Sequence, residues 1–285
     1  MKTINKIFNI AVLVGLLVVT SCTTDDIEPT LAQDKAVEGS ITAAGDLEGI
    51  IKGAYDDMTS STYYGRDFII HNEVRTDNTF ANGASGRFLT PGSFNFIPSN
   101  NPGIWTLAYR VIAGANIIIA IDATTLDGDQ AYAQHLQGQA YAIRALAHFD
   151  LLRNYGEQHV GGSQGVPYVT TFKGDDLYPV RNSVSDVKAN IYQDLTTAFS
   201  MMSDSYFDSS KEFMSKQTAK ALESKVAIYF GDWAIAKSAA ETVIGSGQYS
   251  IIGASSYVAS FGSDASPNSI FELAFSNVDN RGGNS

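Results

Sequence analysis

Gly138-Gln-Ala-Tyr-Ala-Ile-Arg-Ala-Leu-Ala-His-Phe-Asp-Leu-Leu-Arg-Asn-Tyr-Gly156 is the stretch whose reading decides the fold. Its only charged residues are Arg144, Asp150 and Arg153. A helix that is apolar nearly all round must be covered on more than one side. Ala140, Ala142, Ala145 and Ala147 favour helix and let neighbouring helices approach closely. Gly156 marks a stop, because a helix end often needs a left-handed residue there. The stretch therefore predicts a central helix with other helices packed around it, and a mainly α fold.

On the N-terminal side, Asp46 is placed to cap a helix. Its apolar positions would be Leu47, Ile50, Ile51, Ala54, Tyr55 and Met58, the spacing of one buried face. From Ser60 to Asn101 no helical period holds. That stretch carries seven aromatics (Tyr63, Tyr64, Phe68, Phe80, Phe88, Phe94 and Phe96), four glycines and six asparagines. A connection this long is often functional. Any one aromatic there is most simply a pin holding the loop to the helices, and any one asparagine a turn residue. Taken whole, the loop reads as a binding surface. Aromatic faces offer apolar platforms for sugar rings, and Asn, Asp and Arg pair with neighbouring hydroxyls. The candidate ligand contacts are Arg75, Asp77, Asn78, Phe94, Phe96 and Asn101. Asn101-Pro102 also reads as a helix start. Trp105, Tyr109, Ile112, Asn116 and Ile119 follow at helical spacing, and Asn116, on an apolar stripe, must find hydrogen-bond partners.

Beyond the central stretch, Glu157–Gln164 is a glycine-bearing insert before Val166-Pro167. Ser183 or Ser185 opens a helix carrying Val184, Val187, Ile191, Leu195 and Ala198. Lys216–Phe230 is a further helix, Gly231-Asp232-Trp233 a tight turn, and Ala234–Ile244 the partner helix. Gly231, Trp233, Ala236 and Ala240 follow the turn and second helix of a tetratricopeptide unit, with an aromatic over the turn and a small residue at the crossing. Helix pairs of this kind must stack to cover their apolar faces. Near the end, Phe271, Leu273 and Phe275 alternate like a half-buried strand.

The chain of 285 residues has a formal charge of −11, which argues against nucleic acid as a partner. Residues 1–21 have the parts of a secretory signal: Lys2 and Lys6, then an apolar run from Ile7 to Val19. Cys22, the single cysteine, follows Val19-Thr20-Ser21 and resembles the lipidated first residue of a mature bacterial lipoprotein, carrying acyl chains such as palmitate. Residues 22–43 then form a flexible, acidic tether. His71, His135, His148 and His159 lack metal-ligand spacing, and His148 reads as a packed histidine. There is no Gly-x-Ser-x-Gly elbow and no phosphate-loop lysine beside the glycine pairs. No metal, cofactor or catalytic residue is assigned, and the chain reads as a binding protein rather than an enzyme.

Four ordered segments resemble the SusD/RagB family of Bacteroidetes outer-membrane lipoproteins. They are Gly138–Gly156 with Val166-Pro167; Arg181, Ser183, Val184, Ile191, Asp194, Leu195 and Ala198; Lys216–Leu222 through Tyr229 and Gly231-Asp232-Trp233; and Ser269-Ile270-Phe271-Glu272. Residues 157–164 lengthen a connection that is shorter in that family, and His148 replaces a frequent aromatic. The resemblance implies a tetratricopeptide-like scaffold of helical pairs with long irregular loops. Residues 44–268 would be the N-terminal helical domain, and residues 269–285 the start of a C-terminal region cut short. It also implies a SusC-like TonB-dependent transporter as partner, an oligosaccharide or starch-like ligand, and no chemistry. Acidic residues after Cys22 resemble the surface-export signal of such lipoproteins, which implies an outer-membrane anchor facing the cell exterior. A peptide ligand, or a protein-docking scaffold without glycan affinity, remains the alternative.

Overall fold

The computed structural model describes residues 40–95, 103–172 and 178–275. Within them the central stretch is the latter part of a longer helix, Gln130–Tyr155. The Asp129 carboxylate caps that helix by accepting the Tyr132 N–H at 3.0 Å. From His135 to Leu152 every residue but Tyr141 is buried.

Nine α-helices fall among the described residues: α1 (Ala44–Thr59), α2 (Asp67–Glu73), α3 (Leu89–Gly92, a single turn), α4 (Ile104–Ile119), α5 (Gln130–Tyr155), α6 (Val184–Met201), α7 (Lys216–Phe230), α8 (Trp233–Gly245) and α9 (Ala254–Ser260). The chain divides into two units, residues 1–40 and 41–285. Only Ser40 of the first is described. In the second, α1 packs on α4, α4 on α5, α5 on α6, α6 on α7 and α7 on α8, while α1 and α7 also touch α5. The central helix is thus covered on several sides, as its composition demands. The core is aliphatic, with Leu47, Ile51, Ile112, Ile143, Leu151 and Leu152 wholly buried. Each such side chain contributes roughly 1.5–3 kcal/mol relative to exposure.

The buried polar groups of α5 tie it to its surroundings, since an unpaired buried polar group is costly. Gln137 donates to the Ile118 and Ile121 carbonyls at 3.2 and 2.6 Å and so satisfies the end of α4. The Gln139 amide oxygen accepts the Tyr55 hydroxyl at 2.8 Å, and that hydroxyl accepts the Met214 N–H at 2.9 Å. Asn116 finds its partners, the Val169 carbonyl at 3.1 Å and an Arg144 N–H at 2.8 Å.

The α7–α8 pair follows the tetratricopeptide pattern. Ser215 caps α7, and Gly231 ends it in the left-handed conformation at φ +75°. On α8 the buried alanines are Ala236 and Ala239, while Ala240 is partly buried. Trp233 does not cover the turn: it is the first residue of α8, with 68% of its surface exposed.

Other local expectations are corrected. Gly156 is extended, at φ −84°, not left-handed. Its need for glycine is spatial, because a Cβ would lie 2.7 Å from the Leu152 carbonyl oxygen. Asp46 is not the cap of α1 but its third residue. Its carboxylate reaches back to accept the Thr42 and Ala43 N–H groups at 3.0 and 3.1 Å. Asn101 and Pro102 lie outside the described residues. The residue before α4 is Gly103, at φ +74°. Ser183, not Ser185, caps α6, accepting the Asp186 N–H at 3.0 Å. Residues 271–275 form no strand. A ladder needs repeated pairing, and among the described residues the one backbone bond of this segment runs from the Glu272 N–H to the Lys211 carbonyl. Phe271 and Leu273 instead pack on the helical core.

Candidate functional site

The stretch after α1 is not one irregular loop. Its first part is core. Tyr63 and Tyr64 direct their hydroxyls onto the buried Asp150 carboxylate at 2.7 and 2.6 Å, and Arg153 completes the cluster at 2.5 Å. Burial and the adjacent carboxylate hold both phenols well above their usual range, so they remain hydrogen-bond donors. Phe68 packs edge-on to Tyr63 at 5.5 Å, and the Arg153 guanidinium lies 5.5 Å from the Phe68 ring centre. These three aromatics pin α2 to α5.

The second part, residues 75–95, is mostly exposed, with Pro91 its buried residue. Arg75 stands at its root. Its Nε–H donates to the His71 carbonyl at 2.8 Å, and its Nη2 bonds Asn72 and, at 3.2 Å, Asn154 near the end of α5. Burial pulls its pKa below the usual guanidinium range. Asp77 and Asn78 follow on the surface. The turn α3 folds back onto this root: a Cβ on Gly92 would sit 3.2 Å from the Ala81 methyl and 3.9 Å from the Val74 carbonyl.

Phe88 and Phe94 bracket α3, and both have positive φ, +61° and +55°. An aromatic side chain in that region is strained, and such strain concentrates at functional sites. The Phe88 ring is held edge-on to His71 at 5.3 Å, with the Arg66 guanidinium 5.7 Å above it. The Phe94 ring is 63% exposed and that of Phe80 83% exposed. Among the described residues Arg75 is tied to the end of α5 through Asn154, while Asp77, Asn78 and Phe94 are exposed. Phe96, Asn101 and Cys22 lie outside the described residues. Asn154, which holds Arg75, escaped sequence reasoning because a contact across 79 residues leaves no local pattern. Phe80 was visible as an aromatic, but nothing distinguished it from the buried ones. No group of three or more His, Cys, Asp or Glu that could hold a metal occurs among the described residues.

Fold and loop together define a class: a helical-pair scaffold that presents an aromatic and amide-bearing loop at one end. A family model described as "Starch-binding associating with outer membrane" matches residues 31–228, and the chain belongs to this SusD-like family. SusD-like protein P2 of Formosa agariphila is 27% identical over 247 residues, which are 84% of this chain and 46% of that protein. A crystal structure of a SusD superfamily protein from Bacteroides vulgatus superposes with a TM-score of 0.77 at 28% identity, covering 86% of this chain and 57% of the other. A sugar-binding candidate from the same organism gives 0.76 at 30% identity, covering 85% and 56%. The chain spans about half the length of these relatives.

Proposed function

We propose that this protein is a cell-surface lipoprotein that captures a nutrient glycan on the loop of residues 75–95 and passes it to a SusC-like TonB-dependent transporter. The observation that carries the reading is Phe94, an exposed aromatic in a strained backbone conformation, in a loop whose first residue, Arg75, is held by Asn154. An exposed ring face suits the C–H side of a sugar ring, and the exposed side chains of Asp77 and Asn78 suit its hydroxyls. The remaining contacts of this reading are Asp77, Asn78, Phe96 and Asn101. The family's description as starch-binding and outer-membrane-associated supports both the ligand class and the location. The protein performs binding without chemistry, and Cys22 carries the lipid that holds it on the outer membrane, facing outward.

The test is a titration of the whole chain with soluble polysaccharides and peptides. Saturable binding to one polysaccharide class is expected. It should weaken by about tenfold in Phe94→Ala, the scale of one lost aromatic contact, with the unfolding midpoint nearly unchanged. Binding of peptides alone would replace the glycan, and a folded protein that binds neither would leave a docking scaffold. Co-purification of a TonB-dependent barrel from outer membranes tests the partner. Cys22→Ala should release the protein from the membrane fraction, and retention there would refute the anchor.

A further inference from the structure

A second polar site lies on the α5–α6 face, away from the loop. Asn190, Gln193 and Asp194 stand at i, i+3 and i+4, one stripe of α6. Tyr141 and Arg144 face them from α5, and Tyr168 reaches in from the segment that follows Pro167. These residues line a cavity of about 220 Å³. Tyr141 is the one residue between His135 and Leu152 that is not buried, and with Arg144 it is what the central helix contributes to this cavity.

The floor is electrically closed. Arg144 and Asp194 form a two-pronged pair with both side chains 6% exposed. Asp194 Oδ1 accepts Arg144 Nη2–H, and Oδ2 accepts both Nε–H and the Tyr168 hydroxyl. No net charge is left to attract an ion. The walls are the reverse. Among the described residues the Tyr141 hydroxyl and the side-chain amides of Asn190 and Gln193 find no hydrogen-bond partner. Two amides and a phenol present donors and acceptors together, beside aromatic carbon. That array is complementary to neighbouring hydroxyls on a neutral ring. The volume falls below the roughly 300–1,000 Å³ of pockets for drug-sized ligands, which limits the occupant to about one ring.

We propose that this cavity is a separate carbohydrate subsite that takes one neutral pyranose unit, with Tyr141, Asn190 and Gln193 as its hydrogen-bonding residues. The inference stands on the cavity's own geometry and does not require the loop to bind. The two sites are well apart: Tyr141 and Asn154, which mark them on α5, are separated by about 20 Å at the helical rise.

The experiment uses the isotope-labelled whole chain in detergent, titrated with methyl β-D-glucopyranoside, methyl β-D-galactopyranoside and methyl α-D-mannopyranoside. At least one glycoside should shift the backbone N–H signals of residues 190 and 193 saturably. The double variant Asn190→Ala/Gln193→Ala should weaken that response by about tenfold. Both positions lie on the outer side of α6, where alanine favours helix, so the fold should survive. Tyr141→Phe, which removes only the hydroxyl, should weaken it less. Phe94→Ala should leave it unchanged, which separates this site from the loop. Unmoved Asn190 and Gln193 signals at saturating glycoside, or equal binding by the double variant, would overturn the proposal. So would a sugar response that vanishes in Phe94→Ala alone.

Discussion

Arg144 and Asp194, fifty residues apart in sequence, meet in a buried pair in which Nε and Nη2 of the arginine each lie 2.7 Å from a carboxylate oxygen. The pair is the hub of a wider network. Arg144 Nη1 donates to Asn116, the Arg144 carbonyl accepts His148 Nδ1–H, and His148 Nε2 accepts the Val169 N–H. Tyr109 adds a bond to the Pro167 carbonyl at 2.8 Å. Three helices and the Val166–Val169 segment are thereby locked together.

Breaking this pair from one side leaves a charge buried without its partner, which typically costs about 3–5 kcal/mol. Asp194→Asn and Arg144→Met should each lower the free energy of unfolding by that order in urea titrations. The double variant should lose clearly less than the sum of the two. Additive losses would mean that the two side chains do not stabilise each other.

His148 supplies a pH dependence whose sign is fixed by its surroundings. Burial pushes its pKa down to about 3, and it stacks on Tyr168 at 3.8 Å. The unfolded chain protonates it near 6.5. Between those values the unfolded state binds the extra proton, so stability falls as pH falls through that window. From neutrality to about pH 4 this one residue should remove about 3 kcal/mol. His135, lowered to about 4 by burial, acts in the same direction. His148→Gln keeps an acceptor for Val169 but cannot titrate. Its unfolding free energy should be correspondingly flatter with pH, and an unchanged slope would show that His148 titrates alike in the folded and unfolded chain.

The helices were legible wherever local chemistry and the apolar period agreed. Lys216–Phe230 is a helix over the residues read from the sequence, because Ser215 caps it and Gly231 ends it left-handed. Legibility failed where a residue's role depends on distant atoms. Gly156 looked like a left-handed stop, but its constraint is the Leu152 carbonyl. Phe271, Leu273 and Phe275 alternate like a strand, yet among the described residues no strand pairs with them. The same limit governs the candidate site. Tyr63 and Phe68 resemble Phe80 and Phe94 in sequence. They differ in fate because Asp150, 87 residues beyond Tyr63, draws the first part of the stretch into the core.

Phe94 allows the cost of a functional conformation to be measured. With φ at +55°, any side chain there works against the backbone, by roughly 1–2 kcal/mol relative to glycine. Its ring is mostly exposed, so little burial offsets this. Phe94→Gly should therefore be more stable than Phe94→Ala by about 1 kcal/mol in thermal unfolding, while both lose the ring. If both variants lose glycan binding alike, the ring is the ligand contact and the strain is the cost of presenting it. If both are strongly destabilised, the ring is a structural pin like Tyr63.

Gly138 begins the deciding stretch, and its role lies in how closely α5 and α6 approach. A Cβ on it would stand 2.6 Å from Met202 Cγ, 3.1 Å from the Ala198 carbonyl oxygen and 3.1 Å from the Met202 nitrogen. Two of those atoms belong to backbone at the end of α6 and cannot turn aside. Alanine is the better helix former by about 1 kcal/mol, so propensity alone would make Gly138→Ala stabilising. Overpacking opposes it by about 1–3 kcal/mol, and the immobile neighbours place this site toward the upper part of that range. Gly138→Ala should therefore lower stability by about 1–2 kcal/mol. Met202→Ala removes one obstacle but leaves the backbone contact, and should relieve the added alanine only in part when the two are combined. A stabilised Gly138→Ala would mean that α6 can move away, and that the α5–α6 contact is not what selects glycine here.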